Sequence, residues 1–169
     1  MRLWSVAACL LLAAPLTANE PITSMDQLVR MSECELLELY KAGSPGIVPE
    51  GFTPGRAIPK PGSKLTVLRS KMMTKVWQGK YFGDDGIMTN KFFGIKMIKG
   101  QVQQETSWLD GGPVNAIDYS QTSLIFKPYR DEFREIAPGI YLGVMWKRDD
   151  CKPKLLTWFA IDARCTPCK

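Results

Sequence analysis

Arg130, Glu132 and Arg134 alternate along one stretch of chain, and alternation in an extended strand sets all three on one face. Two guanidinium groups beside a carboxylate can grip a polar ligand head, or simply hold one another. Asp131, Phe133 and Glu135 fall on the opposite face. A strand charged on both faces either lies at an exposed edge, where charge blocks sheet-to-sheet association, or turns one set inward. An inward set is costly unless every charge is paired. Asp118-Tyr119 and Lys80, which stands between Trp77 and Phe82, are the other polar groups set among aromatics. Asp118, Tyr119, Arg130 and Glu132 could together form an acid–base site built on carboxylate, phenol and guanidinium. Trp77 and Phe82 read first as core anchors, because large aromatics dominate cores. Lys80 reads as a side chain that snorkels to solvent or reaches a ligand anion. Tyr141, in the apolar stretch that follows, completes the candidate ligand-binding set.

The 169-residue chain contains no histidine. That excludes Ser-His-Asp and Cys-His nucleophilic machinery in their usual form, His-ligated zinc and His-held haem. No cofactor or metal site is expected. Cys165-Thr166-Pro167-Cys168 has the spacing of a redox thiol pair, whose reactivity comes from a helix N-terminus. Here it follows the last strand with no helix after it, so it reads as a structural disulfide. Cys151 and Cys165 flank an expected strand over Lys154–Asp162 that covers roughly 30 Å, while bridged Cα atoms stand within about 7 Å. Pairing Cys151 with either tail cysteine is therefore disfavoured, which leaves Cys34–Cys151 together with Cys165–Cys168.

Disulfides imply an oxidising compartment, and residues 1–18 agree. Arg2, the apolar run Leu3 to Leu12, Pro15 and small Ala18 read as a signal peptide cut before Asn19, placing the protein in the periplasm or outside the cell. A lipidated Cys9 is the alternative. No later run approaches the about 20 apolar residues of a membrane span, so no transmembrane segment is expected. Residues 19–169 then make one domain, large enough to bury its own core. A net charge of +5 is too sparse for a dedicated nucleic-acid binder. Lys64, Lys71 and Lys75 lie along one helical segment, a solvated face or a weak contact with an anionic surface.

The elements that must position these residues begin with two helical pieces within 24–42. Each opens on a capping-box spacing, Ser24 with Gln27 and Ser32 with Glu35. A Pro/Gly-rich wrapping loop, 43–63, follows, with a short edge strand around Phe52–Ile58. Lys64 to Trp77 has helical periodicity that puts Leu65, Leu68, Met72 and Val76 on one docking face. From Gly79 the period shifts to two. Strands are expected at Gly79–Phe82, Met88–Ile98, Val102–Leu109, Val114–Tyr119, Ser123–Lys127, Arg130–Ile136, Ile140–Trp146 and Lys154–Asp162. About eight short strands at hairpin spacing imply a mainly β fold, a small antiparallel barrel with the N-terminal helices packed against it.

The element Trp77-x-Gly79-Lys80-x-Phe82, the later Asp118-Tyr119, and the hairpin from Arg130-Asp131-Glu132-Phe133-Arg134 to Tyr141-Leu142-Gly143 resemble a group of small uncharacterised exported bacterial proteins. That group is similar in turn to the lipocalin-like domain named for its Gly-x-Trp-x-Gly motif. The resemblance, over residues 77–146, implies a lipocalin-like barrel that binds a small apolar or amphipathic ligand and carries no established reaction. A carboxylate/Arg/Tyr enzyme and a packed structural module without a pocket are the alternatives.

Overall fold

Eight antiparallel strands close into a barrel in which each pairs with its sequence neighbours and the last returns to the first. The computed structural model describes residues 21–149 and 151–164. The expected signal segment, residues 1–18, and the Cys165–Cys168 pair lie outside them. In chain order the elements are α1 (Met25–Arg30), α2 (Glu33–Ala42), β1 (Gly51–Ile58), α3 (Thr66–Val76), β2 (Trp77–Phe82), β3 (Ile87–Phe92), β4 (Ile95–Thr106), β5 (Pro113–Asp118), β6 (Tyr129–Ala137), β7 (Ile140–Lys147) and β8 (Lys154–Asp162).

Alternation gives the wall two faces, and along β7 both are apolar because both are buried. Tyr141, Phe133, Phe159 and Ile161 point into the lumen with Phe82, Met88 and Ile117. Ile140, Leu142, Val144 and Trp158 point outward and are covered by Leu28, Leu36 and Tyr40 of α1 and α2. Tyr40 meets Trp158 edge-on with ring centroids 5.9 Å apart. α2 starts where its capping box predicts. The Ser32 backbone N–H donates to Glu35 Oε2 at 2.7 Å, and the Glu35 N–H donates to Ser32 Oγ at 3.3 Å.

The structure corrects several expectations. Phe52–Ile58 is no edge. β1 pairs with β2 through residues 51–54 and with β8 through residues 55–58, and Pro54 sits at the changeover. β6 is no edge either, since it lies between β5 and β7. The expected strand Met88–Ile98 instead folds back at Phe93-Gly94, where both residues take positive φ (50° and 83°) as a two-residue hairpin turn requires. β4 then continues, with a bulge at Ile98, through Gly100, which faces luminal Ile117 and Tyr119. Ser123–Lys127 forms turns, because local bonds such as Ser123 N–H to Tyr119 O at 3.1 Å replace ladder bonds.

α3 forms, but presents the other face. Its contact side is Thr66 and Ser70, small residues one turn apart that let the helix lie close on the barrel rim. Leu65, Leu68 and Met72 are 49%, 55% and 61% exposed.

Cys34 and Cys151 are both exposed and not bridged to each other. Trp158 Nε1 donates to Glu33 Oε1 at 3.4 Å, which sets the start of α2 beside the middle of β8. Cys151 lies before Lys154, so at least four residues of strand, about 13 Å, separate the two sites.

Candidate functional site

Lys80 does not snorkel. It is 1% exposed, inside the barrel, because the register that sets it opposite Asn90 of β3 turns both inward. Its Nζ lies 2.6 Å from Asp131 Oδ2, 3.2 Å from Tyr119 Oη and 3.1 Å from Asn90 Oδ1. Three acceptors match the three N–H donors of an ammonium. Tyr119 Oη donates to Asp131 Oδ2 at 2.6 Å and accepts from Asn90 Nδ2 at 3.1 Å. Trp77 Nε1 donates to Asn90 Oδ1 at 3.0 Å. The Trp77 and Phe159 ring centroids lie 5.5 Å and 5.1 Å from the ammonium, within cation–π range. Burial pushes the Lys80 amine down, against the pull of Asp131. Burial, then the Asp131 charge, pushes the Tyr119 phenol well above its ordinary range, so it stays a donor.

Beside this network is a cavity of about 190 Å³ walled by Ala57, Met73, Phe92, Phe126, Met145 and Phe159, with Trp77, Lys80, Asn90, Tyr119, Asp131 and Thr157. Met73, on α3, is 38% exposed, so the cavity reaches solvent past that helix. Toward the other end the lumen is filled by Phe82, Met88, Phe133 and Tyr141. Inward-facing glycines make room for the cavity's rings. A Cβ at Gly55 would overlap the Trp77 ring, and one at Gly143 would overlap the Phe159 ring.

Arg130, Glu132 and Arg134 do not enter the lumen. They occupy the outer face of β6, buried beneath α2 and the 107–112 loop. Glu132 Oε2 accepts from Ser107 Oγ at 2.7 Å and Tyr40 Oη at 3.3 Å, and Oε1 accepts from the Trp108 N–H at 2.9 Å. Arg130 pairs with Glu132 at 3.1 Å and with Glu105. Arg134 donates to Asp110 through both terminal nitrogens, at 2.7 Å and 2.8 Å, and to the Tyr40 and Pro113 carbonyls. The Arg134 hydrogen bonds hold the Asp110 carboxyl below its usual range. This paired network is a latch that ties α2 and the loop to the barrel wall.

The nine sequence candidates therefore divide. Trp77, Lys80 and Tyr119 meet at the cavity. Phe82 and Tyr141 are luminal but lie in the packed half, where Tyr141 Oη donates to the Ile47 carbonyl at 2.6 Å. Burial pushes the Tyr141 phenol up to about 12. Asp118 points outward and pairs with Arg148 at 2.9 Å. The proposed acid–base set of Asp118, Tyr119, Arg130 and Glu132 is thus split by the barrel wall. Asp131 and Asn90, the remaining polar centre of the site, were missed. Parity carried a signal: Asp131 shares a face with Phe133, as Lys80 does with Phe82, two opposite charges each flanked by a luminal ring. Among the described residues no cluster of His, Cys, Asp or Glu could hold a metal ion, and no helix is long and apolar enough to cross a membrane.

No family model matches the chain, and no curated protein does. Among solved structures, a protein from Thermomonospora curvata is similar, with a TM-score of 0.52 at 17% identity, covering 83% of this chain and 95% of its own. At that identity the likeness is one of fold.

Proposed function

We propose that this protein is an exported, lipocalin-like binding protein whose barrel holds one small, mostly aromatic compound. The observation that carries the reading is the cavity of about 190 Å³, ring-walled and set against a buried ion pair. An eight-stranded barrel can fill its interior with side chains or keep room for one small ligand, and here each half does one of the two. The volume is below the 300–1,000 Å³ or so of drug-sized sites, and a cavity of about 150 Å³ already takes benzene. The occupant is therefore fragment-sized, not a long-chain lipid. Export rests on residues 1–18, and mature protein beginning near Asn19 would support it.

The test is calorimetric titration with toluene. Saturable binding at one toluene per chain is expected. Ala57→Phe, which fills the cavity from β1, should abolish it while preserving the β-sheet circular dichroism. No saturable binding to the unaltered protein would overturn the reading.

A further inference from the structure

We infer that the ligand carries an N–H or O–H donor, received by Asp131 Oδ1; this rests on the cavity reading above. Every donor among the side chains on the cavity wall is spent. The Lys80 ammonium has its three acceptors, and Tyr119 Oη donates to Asp131 while accepting twice. Trp77 Nε1 is used on Asn90 Oδ1, and Asn90 Nδ2 on Tyr119 and the Ile98 carbonyl. Thr157 Oγ1 donates to the Trp158 carbonyl at 3.1 Å. Among the side chains that line the cavity, Asp131 Oδ1 alone is a buried oxygen with no hydrogen-bond partner among the described residues, and Asp131 is only 4% exposed. A buried, unmet carboxylate oxygen is costly, and a ligand donor removes that cost. An acceptor-only or anionic ligand would find no free donor and would face that oxygen instead.

At interior packing density the cavity holds a molecule of roughly nine or ten non-hydrogen atoms. Indole and benzofuran are matched probes of that size, identical in shape and differing in a ring N–H against a ring oxygen. Calorimetry should show indole binding at least about tenfold more tightly, the difference expected of a charge-assisted hydrogen bond. Asp131→Asn keeps an acceptor for Lys80 and Tyr119 while turning its amide N–H₂ toward the cavity, so the order should reverse. If that variant does not fold, the wild-type pair still decides. Equal affinities, or tighter benzofuran, overturn the donor inference and leave the cavity reading standing. Absence of binding by both overturns the two together.

A separate observation concerns the cavity's open end. Antiparallel order brings α3, the β3–β4 turn and the 119–128 loop to that end. Phe93 N–H donates to the Val76 carbonyl at 2.9 Å, joining the turn to α3. Leu68, Met72, Phe93, Ile95, Leu124 and Ile125 are all exposed there, the last two at 96% and 81%. Lys64, Lys71, Lys75 and Lys127 lie in the same segments, and residues 60–76, 91–99 and 119–129 contain no Asp or Glu. The remaining connection at this end, 148–153, mixes both signs, whereas the opposite end carries Asp84, Asp85, Asp110 and Glu135. Exposed apolar tips among lysines suit a bilayer interface, with the tips below the head groups and the ammonium groups at the phosphates. The geometry points to docking of this end on an anionic lipid surface.

Vesicle sedimentation tests it. The full chain should partition about tenfold or more better onto phosphatidylcholine vesicles containing phosphatidylglycerol than onto pure phosphatidylcholine, and salt should weaken it. Leu124→Ser with Ile125→Ser, both solvent-facing, should lose the binding without moving the unfolding midpoint. Lack of vesicle binding, binding unchanged by those substitutions, or burial of the patch by self-association instead would each overturn it.

Discussion

Lys80→Met should cost about 3–5 kcal/mol of stability, measured by urea denaturation, because it leaves the Asp131 carboxylate buried without its counter-charge. That is a large share of the about 5–15 kcal/mol that holds a domain folded. The methionine fits the same tunnel between the Trp77 and Phe159 rings, so lost packing contributes little. Asp131→Leu in the Lys80→Met background should therefore recover most of the loss, since the charge to be paired is gone. A double-mutant cycle isolates the coupling. A single-mutant cost below about 1 kcal/mol, the range of exposed pairs, would show that Lys80 is not confined in the lumen.

Glu132→Ala should be as damaging, about 3–5 kcal/mol, by a different route. Glu132 is fully buried, accepts from Tyr40, Ser107 and the Trp108 N–H, and forms an ion pair with Arg130. Its removal leaves Arg130 with Glu105 as its one remaining counter-charge among the described residues and strands three donors between the barrel wall and α2. Native-state hydrogen exchange should show protection lost first in α2 and the 107–112 loop, with the strands around the cavity following only on global unfolding. Toluene affinity of the remaining folded protein should be unchanged, because Glu132 lies on the far side of the wall from the lumen. Equal loss of protection in α2 and in β2 would show that the latch is not separable from the barrel.

The two networks show how the same strand can be read correctly and placed wrongly. Alternation put Arg130, Glu132 and Arg134 on one face and Asp131 and Phe133 on the other, and the structure keeps that division. Which face is inside is not a property of the strand. α2 covers the outside of β6, so a charged face could be buried without pointing inward, and only Asp131 reached the lumen.

Local chemistry determined what local chemistry can. The capping box at Ser32 and Glu35 starts α2, period-two apolar runs bounded by Gly and Pro make most of the strands, and their number and spacing imply closure into a mainly β barrel. The same signals failed where a choice between two surfaces had to be made. α3 has a regular apolar stripe, yet it rests on Thr66 and Ser70, because close approach to the rim favours small side chains over large ones. Ser123–Lys127 has strand-like residues, but no neighbouring strand has a free edge for it. β1 read as a short edge strand within a Pro/Gly-rich loop, whereas it pairs with both β2 and β8 and its Pro54 sits at the changeover. The site depended most on tertiary structure. Lys80 and Asp131 are 51 residues apart, and their pairing is set by barrel closure and by the register of several hairpins in series, which no single segment encodes. Burial then turns an ordinary lysine and aspartate into a saturated ion pair with one oxygen left to meet.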